Sequence, residues 1–346
     1  MVQALRHEIH SRKDEATDLA IETIYFGGGT PSVLTPTELA ALLDSLYSNY
    51  KILPGAEITV ETNPDDLSQE YLDYLKALSP VNRLSIGIQS FYDTRLKMMN
   101  RRHTARESKT CIEKAKNSGF ENINIDLIYG FPGMSESEWI SDLEIFRKFQ
   151  IPHLSAYHLT FEPKTVFSHY MKKGTMVPVD EEISLQQYKI LLDFAEENGY
   201  ENYEISNFAL PGKYSRHNLG YWTGKSYLGF GPSAHSYNGN TRRWNVSNNT
   251  IYLDAIENHK EDYFETEEID RIKAFNEYLL TGLRTQWGIS SRYIQKNFGR
   301  SFLDNCLPVI KLLLGNNTLI AVGDSYILSR EGKMIADHVI SKLMVV

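Results

Sequence analysis

Ile21-Glu22-Thr23-Ile24-Tyr25-Phe26 followed by Gly27-Gly28-Gly29-Thr30-Pro31 is the stretch on which the fold turns. An apolar run that empties into three glycines leaves backbone amides and carbonyls bare at the carboxyl end of a strand, where a small polar ligand can rest against main chain. A glycine cluster behind a strand is also an ordinary tight turn, so the segment needs support from what lies downstream.

That support is a regular alternation of strand and helix patterns. Helices are expected over 38–50, 68–79, 92–100, 104–118, 135–149 and 180–198, with Ser68 as a cap and Gly119 closing the fourth of these. Strands are expected at 57–61, 83–89, 122–129, 153–159 and 200–205. Repeats of this length favour parallel strands joined by right-handed crossovers, in an open doubly wound sheet or in a barrel. Polar or charged residues stand at one strand end after another, which favours the barrel, where such ends share one mouth.

The residues expected at that mouth are Gly28, Gly29 and Thr30, Glu61, Gln89, Asp126, and Arg101 just past Asn100. Together they offer main-chain groups, two carboxylates, an amide and a guanidinium, a set suited to a ligand with an amino acid end and a ribose. Acidic side chains accept from an ammonium or from sugar hydroxyls, and a guanidinium forks onto a carboxylate. Structural roles stay open for each: Glu61 as a cap of the next turn, Gln89 on a loop carbonyl, Arg101 as a solvated charge, Asp126 as the buried partner of a lysine.

Composition bounds the function. Among 346 residues 42% are hydrophobic and 23% charged, as in ordinary globular proteins, and the net charge of −8 disfavours a chain devoted to binding nucleic acid. No apolar run approaches the roughly 20 residues that span a bilayer, and no signal peptide is evident, so a cytoplasmic address is expected. Cys111 and Cys306 stand far apart in helical patterns and read as small core residues.

Residues 207–249 change texture to Gly, Tyr, Trp, Asn and Ser and read as a long functional loop. Three helices, a strand pair around 317–321 and 325–328 with Gly323-Asp324 at the turn, and a last helix follow from about Glu267. The expected segments are 1–206 as the barrel, 207–262 as the loop-rich part and 263–346 as a small winged-helix-like α+β module used for packing or as a lid.

Several stretches in order resemble the radical S-adenosylmethionine proteins of the oxygen-independent coproporphyrinogen III oxidase type, and among them the shorter HemW-type heme chaperones. They are Phe26-Gly27-Gly28-Gly29-Thr30-Pro31, Glu61-Thr62-Asn63-Pro64, Leu84-Ser85-Ile86-Gly87-Ile88-Gln89-Ser90-Phe91, Asn100-Arg101 and Asn124-Ile125-Asp126-Leu127-Ile128-Tyr129-Gly130-Phe131-Pro132-Gly133. Arg216-His217-Asn218-Leu219-Gly220-Tyr221-Trp222 and Gly229-Phe230-Gly231-Pro232-Ser233-Ala234-His235-Ser236-Tyr237 extend the likeness. The resemblance implies a partial TIM-type (β/α)6 barrel and an S-adenosylmethionine site lined by Gly28, Gly29, Thr30, Glu61, Gln89, Arg101 and Asp126.

It also implies a [4Fe-4S] cluster held by a CxxxCxxC triplet upstream of the glycines. No such triplet is present, so this chain as written is not expected to hold the cluster or to cleave S-adenosylmethionine. The expected explanation is a reading frame begun at an internal methionine, with the first barrel strand missing and residues 21–26 left as an edge prone to aggregate, and the alternative is a true loss of the cluster in a degenerate relative. The leading expectation is a heme chaperone that passes heme to an acceptor protein, with membrane association only through that acceptor and a homodimer left open. The alternative is coproporphyrinogen III oxidase. His217 is the candidate heme ligand, with Tyr221 and Trp222 against the porphyrin face, and His235 is second; a structural loop histidine is the competing reading of His217.

Overall fold

The structure is a computed structural model that describes residues 1–17, 19–160, 173 and 179–345. Two compact units divide the chain: Thr23–Leu39 with Glu57–Tyr214, and Met1–Glu22 with Ala40–Ala56 and Ser215–Val346.

The first unit is built on a seven-stranded sheet of β1 (Ala20–Phe26), β2 (Lys51–Thr62), β3 (Arg83–Gln89), β4 (Asn122–Tyr129), β5 (His153–His158), β6 (Glu201–Glu204) and β7 (Asn207–Ala209). Its order is β1-β2-β3-β4-β5-β7-β6, so β1 ends the sheet on one side. β2, β3, β4 and β5 pair in parallel, and crossovers of that kind need a helix between strands. Those helices are α3 (Gln69–Leu78), α4 (Asp93–Met98) with α5 (Ala105–Asn117), and α6 (Glu136–Lys148), while α2 (Pro36–Asn49) joins β1 to β2 and α7 (Glu181–Glu197) precedes β6. The architecture is an α/β partial barrel.

Local chemistry sets the boundaries. Thr104 with Glu107 and Ser135 with Glu138 form reciprocal capping boxes, and Ser68 accepts from the Tyr71 amide, so α5, α6 and α3 start where orphan amides find side-chain acceptors. Gly119 sits at φ +80°, a left-handed position that ends α5. Every residue of β3 from Arg83 to Ile88 is buried, as a strand covered on both faces requires.

One expectation is corrected here. The strand at 200–205 does not extend the parallel set as a sixth β/α unit beside β5; β7 lies between them, antiparallel to both β5 and β6. Glu204 accepts from the Ser206 amide and from the Asn207 side chain, which folds Ile205-Ser206 into a tight turn. A connection that short makes a hairpin and cannot make a crossover.

The second unit holds α1 (Val2–Ser11), α8 (Arg216–Trp222), β8 (His235–Tyr237), β9 (Thr241–Asn245), α9 (Asn249–Glu257) and β10 (Phe264–Glu268), with a sheet ordered β10-β9-β8. The expected loop-rich stretch thus carries several short elements between its loops. Beyond it come α10 (Arg271–Leu283), β11 (Ile289–Ser290), α11 (Ser291–Asn297), α12 (Arg300–Gly315), β12 (Leu319–Val322), β13 (Ser325–Leu328), α13 (Arg330–Met334) and α14 (Ala336–Ser341). β11 adds a third strand, which sequence periodicity did not signal, to an antiparallel sheet ordered β11-β13-β12.

One buried carboxylate organises this unit. Glu8 is fully buried and accepts from Arg12 Nη1 at 3.0 Å, Asn245 Nδ2 at 2.8 Å, the Gly231 amide at 2.8 Å and the Tyr252 hydroxyl at 2.7 Å. Arg12 in turn donates to the Gly229 carbonyl at 2.7 Å, Ser236 Oγ at 2.9 Å and the Glu15 carboxylate. Truncating one member of such a network strands the other charge in a dry site. Glu8→Ala is expected to lower stability by about 3 to 5 kcal/mol in urea unfolding, and a change below about 1 kcal/mol would refute the hub.

Candidate functional site

At the carboxyl end of β1 the decisive residue is Gly27. A Cβ there would lie 2.6 Å from Tyr25 Cε1 and 3.0 Å from the Glu61 carboxyl carbon. Its absence lets three groups close on one another: the Tyr25 hydroxyl donates to Glu61 Oε1 at 2.7 Å, and the Gly28 amide donates to Glu61 Oε2 at 3.2 Å. Gly28 and Gly29 serve differently, at φ +71° and +106° with open space where a Cβ would be, so backbone conformation requires glycine there. Thr30 follows and its carbonyl accepts from the Val33 amide at 3.1 Å, starting a short 3-10 turn. Glu61 therefore does not cap its own following turn.

A second cluster forms at the end of β3 around Gly87. A Cβ on Gly87 would meet Gln89 Nε2 at 2.9 Å and Arg101 Nη2 at 3.1 Å. The Gln89 side chain is folded back along its own strand, into space that only glycine leaves open. Gln89 itself has φ +67°, at a shift in the pairing of β3 with β4. Arg101 is half-buried and donates to Asn63 Oδ1 at 2.7 Å and to the Gly87 carbonyl at 2.9 Å, so it is not a solvated charge. Burial holds its pKa below the ordinary guanidinium value.

Asp126 closes the site on β4. Register places Glu61, Ser85, Asn124 and His153 level with one another on four neighbouring strands, and Asp126 lies two residues past Asn124 on the same face. Asn124 Nδ2 donates to Asp126 Oδ1 at 2.7 Å and to Ser85 Oγ at 2.8 Å. Asn124 Oδ1 accepts from Ser155 Oγ at 3.1 Å and lies 2.5 Å from His153 Nδ1, whose other nitrogen lies 2.7 Å from the Tyr203 hydroxyl. Burial, with Arg83 nearby, holds the His153 pKa well below the usual histidine range, so the ring is neutral, donates from Nδ1 and accepts at Nε2. Asp126 thus rests on an amide, and among the described residues no lysine pairs with it.

Burial pushes the Asp126 carboxyl up to about 6, with the Glu61 carboxylate adding to the rise and bonds from Asn124 and Ser155 and the charge of Arg83 opposing it. Burial and the Glu61 charge likewise push the Tyr25 phenol far up, so it stays a donor at neutral pH. One carboxylate, one amide, one guanidinium and bare glycine main chain therefore gather at the carboxyl ends of β1 to β3, with the second carboxylate, Asp126, three residues short of the end of β4. Such a set can hold a cationic ligand that also carries hydroxyls and a carboxylate.

Sequence reading missed Tyr25, Asn63, Gly87 and Asn124. Each stands two residues from a residue that was singled out or from the glycine run, and the period of 2 along a strand is the signal that reaches them. His217 lies in the second unit, in the first turn of α8, with Nε2 3.0 Å from the Tyr221 hydroxyl and the two rings edge to face at 5.0 Å. Tyr221 continues to Tyr227 at 4.8 Å, and the Arg284 guanidinium sits 5.6 Å over the Trp222 ring. His235 stacks on Trp244 at 6.1 Å.

Comparison with known proteins gives the family. Residues 7–145 match the radical SAM superfamily. The chain is 36% identical to the heme chaperone HemW of Bacillus subtilis over 342 residues, 98% of this chain and 89% of that protein. The chain belongs to the HemW heme chaperone family. A second HemW, from Lactococcus lactis, is 37% identical over 82% of this chain and 74% of its own length. The structure of coproporphyrinogen III oxidase HemN from Escherichia coli, described as a radical SAM enzyme, superposes with a TM-score of 0.83 at 22% identity, over 99% of this chain and 82% of that one. This last likeness concerns the fold.

The residues of this HemW-family chain do not fit the iron-sulfur cluster that the superfamily implies. Its two cysteines are both buried, with thiols pushed up by burial to about 12 for Cys111 and about 11 for Cys306. Among the described residues no group of three or more His, Cys, Asp or Glu side chains could hold a metal ion.

The raised carboxyl of Asp126 gives a test of the site's electrostatics. A folded-state pKa raised to about 6 means that Asp126 favours folding below the unfolded pKa near 4 and loses that contribution as pH rises through 6. Asp126→Asn is therefore expected to stabilise the chain by roughly 1 to 3 kcal/mol at pH 7.5, the gain vanishing below about pH 4. Thermal melts across that range check it, and a gain that does not shrink on acidification refutes it.

Proposed function

We infer that this chain binds heme and hands it to an acceptor protein. The reading is carried by its 36% identity with a heme chaperone along 98% of its length. Heme is the cargo in this reading, and α8 is its seat. His217 is the axial ligand, because an imidazole nitrogen ligates heme iron, and Tyr221 and Trp222 give the macrocycle aromatic surface. The aromatic run from half-buried His217 through exposed Tyr221 to half-buried Tyr227 supports that placement, and His235 is the second candidate ligand.

The barrel mouth is the site for S-adenosylmethionine, with Gly28, Gly29 and Thr30 against its main-chain-seeking groups. Glu61 and Asp126 face its positive charge and ribose hydroxyls, and Gln89 and Arg101 take its remaining polar end. The clustering of Gly28 with Glu61, and of Gln89 with Arg101 over Gly87, supports this. No radical step is assigned, since the residues present do not supply three thiolates. Coproporphyrinogen III oxidase chemistry therefore remains the weaker reading, favoured by likeness of fold alone.

The segments 1–206, 207–262 and 263–346 are kept as functional divisions, barrel, heme segment and winged-helix-like module. A cytoplasmic address and an acceptor protein belong to the same proposal. Among the described residues no helix is long and apolar enough to cross a membrane.

Titration with hemin is expected to give a Soret band that saturates near about one heme per chain, and His217→Ala to weaken binding by about tenfold and shift the band. Unchanged affinity and band position in His217→Ala, with both lost in His235→Ala, would move the ligand to His235. Absence of saturable binding would overturn the reading.

A further inference from the structure

Gln89 occupies a backbone conformation that needs an external support. Its φ of +67° is accompanied by a hydrogen bond from the Ser90 amide to the Ile88 carbonyl at 2.9 Å, a three-residue turn of positive φ that is rare and strained for a residue with a side chain. Such conformations cost on the order of 1 to 3 kcal/mol and persist where the surroundings over-determine them. Here one end of the turn is tied by His103, whose Nε2 lies 3.2 Å from the Ile88 carbonyl. The other end is tied by a residue from a different β/α unit.

That residue is Asp142, on α6. It is fully buried, its Oδ2 accepts from Ser90 Oγ at 2.8 Å, and its Oδ1 accepts from the Phe91 amide at 2.8 Å. The Ser90 hydroxyl, fixed in this way, also accepts from the Tyr92 amide at 3.1 Å. The carboxylate thereby satisfies the two groups that follow Gln89 directly.

We propose that Asp142 is a positioning residue for the nucleoside site, holding the Ser90-Phe91 segment so that the strained turn at Gln89 aims its amide over Gly87 beside Arg101. Asp142 is remote in sequence, has no place in the barrel mouth, and acts on the ligand only through Gln89. The proposal rests on the reading of that mouth as an S-adenosylmethionine site. Burial, reinforced by nearby Glu138, pushes the Asp142 carboxyl up to about 7, so a neutral group is tolerated at this position. An asparagine can keep both contacts, its oxygen accepting from the Phe91 amide and its amide donating to Ser90 Oγ in the reverse sense.

The test is calorimetric titration of the full chain with S-adenosylmethionine, for the wild type, Gln89→Ala, Asp142→Ala, Asp142→Asn and the double variant Gln89→Ala with Asp142→Ala. Gln89→Ala and Asp142→Ala are each expected to weaken binding by about tenfold, and the double variant by no more than about twofold beyond Gln89→Ala, because residues acting as a unit do not add. Asp142→Asn is expected to stay within about threefold of wild type. Full affinity in Asp142→Ala, a loss in the double variant of about a hundredfold, or failure of Asp142→Asn to rescue would overturn the proposal.

If Asp142→Ala does not fold, Ser90→Ala removes one of the two ties and takes its place in the cycle, with additivity again the overturning result. If the wild type takes up no S-adenosylmethionine, or Gln89→Ala binds it as well as wild type, the reading of the mouth fails and the proposal falls with it. Loss in Gln89→Ala combined with none in Asp142→Ala sinks the positioning role alone.

Discussion

Parallel pairing of β2, β3, β4 and β5 in one register is the constraint from which the rest follows. It sets Glu61, Ser85, Asn124 and His153 level across four strands, and all four are polar. A polar row inside a barrel must pair internally, because each buried donor or acceptor left alone costs about as much as a lost hydrogen bond. Ser85, Asn124 and His153 meet that demand by chaining, Glu61 is bonded instead by Tyr25 and the Gly28 amide, and one hydrogen of Asn124 Nδ2 goes to Asp126. The carboxylate at the mouth is thus oriented by residues that are themselves held in place from Tyr203 inward.

Glycine acts in the site in two physically separate ways. At Gly28 and Gly29 the chain needs a left-handed turn, while at Gly27 and Gly87 it needs the volume of a missing side chain. The second kind decides the chemistry, since it brings a tyrosine hydroxyl onto a carboxylate at one strand end and an amide beside a guanidinium at the other. Alanine at either position would separate groups that the backbone alone cannot bring together.

Much of the barrel could be read from periodicity. Arg83–Gln89 and Asn122–Tyr129 are bounded by helix caps and glycines strong enough to place both ends, and both strands fall at the expected residues. The hairpin of β6 and β7 was not legible, because Glu204 folds the turn through side-chain bonds that leave no pattern in hydrophobicity. The short strands of the second unit escaped for a similar reason: β8 has three residues and β11 two, too few to show a period. At the site, strand-end residues were found, but their supports were not. Asn124 looks like any polar residue on a strand, and Asp142 lies on a helix more than 50 positions from the segment it holds.

The Glu8 hub has a consequence for how this chain comes into being. Its carboxylate leaves the ribosome 223 residues ahead of Gly231 and 244 ahead of Tyr252, two of the donors that satisfy it. At ordinary rates of synthesis that interval is on the order of ten seconds or more. Throughout it the nascent helix α1 lacks these partners, so the hub closes only after β2 to β7 have been synthesised.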